Sequence, residues 1–273
     1  MRTPRLTLAS VAASPFAGVT GVVVVTLLTV VVVSGCGSAL RAHGTIDVTG
    51  AGRGFTGLSV HGDTLSLVSD DGIVDVDRSG AVIDVHKAGE HGLVAQAYGD
   101  VSVVDIGDGV IQYALVSDSE GTLYDPATQT QASRFCVLPG GNLDPGPVLT
   151  ERNDAVAVDG DTILTNPRFY DGDALQASTL RSYRLTDGTL IGEVNLEDKP
   201  ALTGIAVTVD GILGVAGHTL HVLNKHAEKD HDVAFERSEP AHNATGVAVD
   251  SFRGELLVLE AAGAVAVYRL DEL

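Results

Sequence analysis

Near-copies of one short strand motif recur along the chain and constrain its fold more than any other feature. Residues 56–60, 203–207 and 245–249 each read Thr-Gly-x-x-Val. Equivalent positions in the strands that follow are spaced 48, 48, 51 and 43 residues apart, at Val68, Val116, Leu164, Val215 and Val258. Repeats of about 40–50 residues with four strands each are typical of propeller blades. The spacing therefore predicts an all-β propeller.

The segments between these motifs have the pattern of hairpins. Short runs of Val, Ile, Leu and Thr alternate with Gly, Asp, Asn and Ser from residue 42 onwards, and no stretch has helical periodicity. Residues 67–77, 115–125 and 257–268 each contain a strand, an acidic or small turn and a second strand. Such runs bounded by turn residues predict strands joined by tight turns.

The repeats predict five blades, at about residues 56–86, 100–137, 154–196, 203–237 and 245–273. The last of these has room for only three strands. Residues 44–49 form a strand-like run that has no partner of its own, so we expect this run to complete the last blade. This closure would remove two exposed sheet edges. Residues 93–98 are unassigned, and a sixth blade remains the alternative.

The body of the chain resembles bacterial propellers of the NHL and YVTN type. The Thr-Gly-x-x-Val strand openings and the turn at residues 124–128, Tyr-Asp-Pro-Ala-Thr, carry the resemblance. It covers most of residues 44–273 and implies the fold. That family includes binding scaffolds and a few enzymes, so the resemblance leaves function open.

The N-terminal segment has the features of a secretion signal. Arg2 and Arg5 precede an apolar run at residues 19–33, and the next charged residue is Arg41. The run ends in Val-Ser-Gly-Cys at residues 33–36, which resembles the lipobox of bacterial lipoproteins, including envelope lipoproteins of high-GC Gram-positive bacteria. The resemblance implies cleavage before Cys36 and a diacylglycerol on its thiol. The alternative is an uncleaved transmembrane helix, since about 20 apolar residues span a bilayer.

These features divide the chain into a signal peptide (residues 1–35), a lipidated cysteine with a short linker (36–43) and a propeller (44–273). In both interpretations the arginines stay inside, so we expect the propeller on the extracytoplasmic face of the cell membrane. Eight residues between Cys36 and Thr45 reach at most about 30 Å, which would hold the propeller close to the bilayer. Loss of residues 1–35 changes the formal charge from −19 to −21. A body this acidic excludes nucleic-acid binding.

The second cysteine, Cys136, lies in a strand-like run and is predicted to be a buried small hydrophobe. If Cys36 carries lipid, then no disulfide can form. A Cys36–Cys136 bridge in an oxidising compartment is the alternative.

The residues that could carry chemistry do not form a recognisable motif. Five of nine histidines lie between His218 and His242, and we expect them to be solvated because His218 and His221 would point to opposite strand faces. The acid pairs Asp159/Asp161 and Asp171/Asp173 are typical of hairpin turns and lack the spacing of a calcium loop. The sequence therefore predicts no catalytic residue and no cofactor, and it leaves metal binding open.

Two segments depart from the repeat, residues 139–147 and 166–177, and each is either a binding loop or a tolerated insertion. We expect a non-catalytic scaffold that binds another envelope protein or a small ligand. The alternative is a propeller hydrolase or lactonase with a metal-dependent site in the central funnel, using strand-end acids such as Asp77, Asp125 and Glu260.

Overall fold

The structure is a computed structural model, and it describes residues 39–90, 93, 98–108, 110–117, 120–136, 150–237 and 239–273. Cys36 and the insertion at residues 139–147 lie outside these ranges. In the described part of the chain, no helix has both the length and the apolar character needed to cross a membrane.

The described residues form five four-stranded antiparallel sheets, which are the five predicted blades. Blade 1 contains β2 (Gly57–His61), β3 (Thr64–Ser69), β4 (Gly72–Asp77) and β5 (Val82–Lys87). Blade 2 contains β6 (Asp100–Gly107), β7 (Val110–Val116), β8 (Glu120–Asp125) and β9 (Thr130–Cys136). Blade 3 contains β10 (Thr150–Asp159), β11 (Thr162–Asp171), β12 (Ala174–Arg184) and β13 (Leu190–Asn195). Blade 4 contains β14 (Gly204–Val207), β15 (Gly211–Ala216), β16 (Thr219–Asn224) and β17 (Lys229–Ala234).

Blade 5 is built from both ends of the described chain. It contains β18 (Ala244–Asp250), β19 (Glu255–Glu260), β20 (Ala264–Arg269) and, as its outer strand, β1 (Gly44–Asp47). β1 runs antiparallel to β20, with Ile46 opposite Val265. Short 3₁₀ turns lie before β18 (Pro240–His242) and after β20 (Leu270–Glu272). The predicted closure of the last blade by an N-terminal strand is confirmed.

The inner strands β2, β6, β10, β14 and β18 form a closed ring, each in contact with its neighbours. Because side chains alternate across a strand, both faces of each blade pack against an adjacent blade. Five apolar clusters result, one in each gap between neighbouring blades. We call the side of the ring at which the inner strands begin the upper side and the opposite side the lower side.

The segment at residues 166–177 differs from the loop that its turn residues suggested. It continues β11 and β12 as paired strands, with Arg168 opposite Ser178 and Asp171 opposite Ala174. We call residues 166–179 the blade 3 arm. The turns between strands otherwise follow the expectation, since Gly160 and Gly172 adopt positive φ angles of 57° and 58° in the Asp-Gly-Asp turns.

Candidate functional site

The threonine of the repeated motif joins neighbouring blades. Thr56 donates its hydroxyl hydrogen bond to the carbonyl of Tyr98 at 2.9 Å, and Thr203 donates to the carbonyl of Ala244 at 2.9 Å. Thr245 closes the ring by donating to the carbonyl of Phe55 at 3.3 Å. The motif threonine therefore acts as a hydrogen-bonded link from one blade to the next.

The motif glycine lets the inner strands approach one another at the axis. A Cβ on Gly204 would lie 2.8 Å from the Cα of Gly246, and a Cβ on Gly246 would lie 2.9 Å from the backbone nitrogen of Leu58. A Cβ on Gly57 would overlap the backbone of Asp100. At these three positions only glycine fits without displacing backbone.

Blades 2 and 3 break the motif, and the break places a carboxylate at the axis. Blade 2 has Gly99-Asp100 and blade 3 has Asp154-Ala155 where the other blades have Thr-Gly. Asp100 is fully buried. Its Oδ1 accepts backbone N–H bonds from Val101 at 2.9 Å and Leu58 at 3.3 Å. Its Oδ2 accepts the N–H of Val156 at 2.9 Å, so one side chain connects three blades.

Burial raises the pKa of Asp100 well above its usual range, while the N–H groups of Val156, Val101 and Leu58 that it accepts lower it. Alternate residues of each inner strand direct their N–H groups to the free edge, which here faces the axis. Below Asp100, the hydroxyl oxygens of Ser59 and Ser102 accept further N–H groups, from Val103 at 2.9 Å and Val158 at 3.1 Å. The axial cavity between the inner strands has a volume of about 130 Å³. This is below the range of about 300–1,000 Å³ that is common for drug-sized ligands.

The blade 3 arm is braced by charged side chains at its base. Arg181 is 4% exposed and forms ion pairs with Glu193 and, at 2.9 Å, with Glu151. Arg168 forms an ion pair with Asp154, which occupies the motif-threonine position of blade 3. β10, β11 and β12 have 10, 10 and 11 residues, whereas the other strands have 4 to 8. The arm is thus a rigid extension of its blade.

Aromatic rings and buried amides add to this support. The guanidinium groups of Arg152 and Arg168 lie 5.3 and 5.9 Å from the centroid of the Tyr170 ring. Asn166 donates to the carbonyl of Thr179 at 2.6 Å and to the hydroxyl of Ser178 at 3.1 Å. Asn153 is buried, and within the described ranges neither polar atom of its side chain has a hydrogen-bond partner.

A second buried polar cluster lies between blades 1 and 2. Tyr113 donates its hydroxyl hydrogen bond to Asp75 Oδ2 at 2.7 Å. His86 Nε2 lies 3.8 Å from Asp75 Oδ2 and 3.7 Å from Asp84 Oδ2, and its ring packs edge-on against Tyr124. The Asp75 carboxylate raises the pKa of His86 above its ordinary value, and burial of the ring opposes this effect. Burial also raises the pKa of the Tyr113 hydroxyl.

The candidate histidines and acids lie apart from one another in the structure. His221, His231 and His242 pair with Asp232, Asp230 and Glu260 at 2.9, 3.0 and 2.7 Å. Asp77 and Asp125 accept N–H bonds within their own turns, from Ser79 and Ala81 and from Ala127 and Thr128. Among the described residues, no group of three or more His, Cys, Asp or Glu side chains is placed to hold a metal ion.

Sequence reasoning missed Asp100, although a signal was present. In a chain whose inner strands open with Thr-Gly, an acid at the glycine position marks a different environment at the axis.

Cys36 lies outside the described residues, and Cys136 lies in β9.

No family model matches the sequence, and no curated protein matches it. Among solved structures, the chain is similar to the crystal structure of glutaminyl cyclase from Myxococcus xanthus, which is a propeller. The TM-score is 0.56 and the sequence identity is 8%, and the match covers 85% of this chain and 97% of that chain. At this identity the similarity supports the propeller fold alone.

Proposed function

We propose that the protein is an extracytoplasmic lipoprotein, held at the cell membrane by lipid on Cys36, whose propeller is a non-catalytic binding scaffold. The observation that carries the scaffold proposal is the braced arm of blade 3. The partner we propose is another envelope protein or a small ligand that contacts this arm, and nucleic acid is not a partner.

The arm suits this role because binding to it would order few additional groups. Its base is held by the Arg181 and Arg168 ion pairs, and its distal turn, residues 171–174, is exposed together with Gln176. Surface segments carried by a rigid scaffold are common binding sites, and a pre-ordered segment loses less conformational entropy on association.

The anchor proposal follows from the lipobox-like residues 33–36 and divides the chain as before, into residues 1–35, 36–43 and 44–273. The first paired residue in the described ranges is Leu40, which bridges to Phe235. Cys36 precedes Leu40 by four residues, a reach of at most about 14 Å.

A photo-crosslinking amino acid placed at Gln176 of the whole chain in cells tests the scaffold. We expect a discrete adduct with one envelope component. The matched control carries the same amino acid at Asp84, an exposed position on the outer strand of blade 1. Adducts that are equal at both positions, or absent at Gln176, would contradict the proposal. Separately, Cys36→Ala should abolish incorporation of labelled fatty acid, and continued labelling would contradict the anchor.

The second candidate remains a propeller hydrolase or lactonase with a metal-dependent site in the central funnel. The observation in its favour is that the similar solved propeller is a glutaminyl cyclase, an enzyme by its name. Against it, the oxygens of Asp100 at the axis face N–H donors, the opposite of what a cation needs. A thermal shift of residues 37–273 with calcium or zinc, reversed by a chelator, would favour the enzyme.

A further inference from the structure

The lower side of blades 4 and 5 carries an exposed apolar patch. Phe252 is 94% exposed and Val209 is 74% exposed, the highest values for large hydrophobic side chains in the described part of the chain. Val209 lies in the turn between β14 and β15, and Phe252 lies in the turn between β18 and β19. Both turns follow the inner strands of neighbouring blades and lie on the lower side. Leu270 and Leu273 are half-buried against the core between these blades, and we call Val209, Phe252, Leu270 and Leu273 the apolar patch.

Three members of this patch line one cleft. A cavity of about 480 Å³ between blades 4 and 5 is lined by Val209, by Ser251 immediately before Phe252, and by Leu270 and Leu273. Single exposed hydrophobic residues are ordinary on protein surfaces. Two loop-tip side chains this exposed on neighbouring blades, with a partly apolar cleft beside Val209, indicate a contact surface in a chain with a formal charge of −19.

The N-terminal tether runs beside the same two blades. The backbone nitrogen of His43 donates to the carbonyl of Val267 at 2.8 Å, and the His43 ring lies 2.8 Å from the Glu272 carboxylate. Glu272 belongs to the turn Leu270–Glu272, whose first residue lines the cleft. Leu40 donates to the carbonyl of Ala234 at the end of blade 4. Residues 40–43 therefore run from the lower turn of blade 5, beside Glu272, to the upper end of β17 in blade 4, and Cys36 precedes Leu40 by four residues.

We propose that the apolar patch docks on the lipid bilayer that holds the acylated Cys36. This inference rests on the proposed lipid anchor and adds the face of the propeller that meets the membrane. Aromatic and aliphatic side chains at loop tips can bind at the boundary between headgroups and acyl chains. The patch supplies a second, apolar attachment to the bilayer.

The chemistry of the docking is apolar rather than electrostatic. A mature charge of −21 is repelled by anionic headgroups. We therefore expect docking on zwitterionic phosphatidylcholine vesicles, with little change on adding salt, and weaker docking when anionic lipid is included.

The sequence contains no tryptophan, so a tryptophan introduced at one position reports on that position alone. In Phe252→Trp, the single tryptophan reports on the patch in the full chain purified from membranes and reconstituted in phosphatidylcholine vesicles. We expect its emission to move to shorter wavelength and to be quenched by brominated acyl chains. The control is Ile83→Trp, at a position that is 57% exposed on the outer strand of blade 1, and its emission should resemble that of tryptophan in water.

Flotation of the same samples separates the two proposals. If the chain floats with the vesicles while the tryptophan at position 252 is unquenched, the docking proposal is wrong and the anchor stands. If the chain does not float, both are wrong. If the emission of Phe252→Trp shifts without vesicles and depends on protein concentration, the patch binds a second copy of the chain and the membrane proposal is overturned.

Discussion

At the scale of single residues, the side chain of Asp100 lies at the propeller axis in the position that the motif glycine has in blades 1, 4 and 5. In blades 1, 4 and 5 the motif glycine lets neighbouring backbones approach closely. A Cβ at any of these glycines would lie 2.9 Å or less from a backbone atom of the next blade. In blade 2, Asp100 occupies the centre and accepts N–H groups from three blades. The inner-strand N–H groups that face the axis thereby gain an acceptor.

We expect Asp100→Ala to destabilise the propeller by about 3 kcal/mol or more, because each buried donor that loses its partner costs about 1–3 kcal/mol. For a domain of this size the melting temperature should fall by roughly 6–12 °C, at about 2–4 °C per kcal/mol. Thermal unfolding followed by circular dichroism measures the change. Asp71→Ala removes an exposed carboxylate and should change stability by less than about 0.5 kcal/mol. Equal effects of the two substitutions would show that Asp100 does not support the ring.

His86 predicts a pH dependence whose direction follows from its raised pKa. The folded protein holds the imidazole proton more tightly than the unfolded chain does, because Asp75 faces the ring. This contribution to stability is fully present below the ordinary value of about 6.5 and is lost as the pH rises through the higher folded pKa. Urea unfolding of wild type and His86→Gln across this window measures it.

The wild-type free energy of unfolding should decline with rising pH more steeply than that of His86→Gln. The exposed His61→Gln variant is the matched control and should retain the wild-type profile. Identical slopes for wild type and His86→Gln would contradict the assignment.

At the scale of elements, the blade 3 arm shows how charged pairs rigidify a strand extension. Arg181 in β12 is placed opposite Thr165 in β11 and Glu193 in β13, and it also reaches Glu151 in β10. One guanidinium therefore holds three strands at the base of the arm. Because both side chains of the Arg181–Glu151 ion pair are buried, loss of either partner would leave an unpaired buried charge.

Arg181→Met should destabilise blade 3 by about 3–5 kcal/mol, since it leaves the carboxylate of Glu151 buried without its partner. The matched control is Arg184→Met in the same strand, where the ion pair with Asp187 is half exposed and is worth only about 0–1 kcal/mol. Denaturant unfolding of both variants measures the difference. A double variant, Arg181→Met with Glu151→Leu, should recover much of the loss. Equal stability of the Arg181→Met and Arg184→Met variants would rule out the bracing role.

At the scale of the whole molecule, β1 makes five separate blades into a closed ring. It pairs with β20 through residues 44–47, and Ile46 and Val48 complete the apolar cluster between blades 5 and 1. Without β1, blade 5 would expose the edge of β20 and part of that cluster. The pairing also fixes residues 40–43 beside blades 4 and 5, where the proposed tether begins.

Removing residues 37–50 from a chain of residues 37–273 should cost several kcal/mol, a large part of the stability of a typical domain. Appending residues 44–50 after Leu273 through a short flexible linker should restore most of the melting temperature, because β1 is antiparallel to β20 and can follow it as a hairpin. An unchanged melting temperature after the deletion would rule out closure by β1.

The blades could be predicted from the sequence because the signals for strands and turns are local. The repeated Thr-Gly-x-x-Val openings, the Asp-Gly turns and the strand without a partner at residues 44–49 each depend on neighbouring residues, so their meaning is readable along the chain. The five-bladed, all-β prediction and the closure by the N-terminal strand followed from these signals and are confirmed.

The contacts between distant side chains could not be predicted from the sequence and are seen only in the folded propeller. Asp100 finds its donors 42 and 56 residues away, Asp75 and Tyr113 are 38 residues apart, and Arg78 pairs with Asp250 across 172 residues. The blade 3 arm could not be predicted either, because its turn residues indicate a loop. Its strand pairing is supported by the ion pairs of Arg168 and Arg181 with carboxylates that are distant in sequence. Contacts between blades depend on the closure of the ring, and no local pattern in the sequence encodes the distances that closure sets.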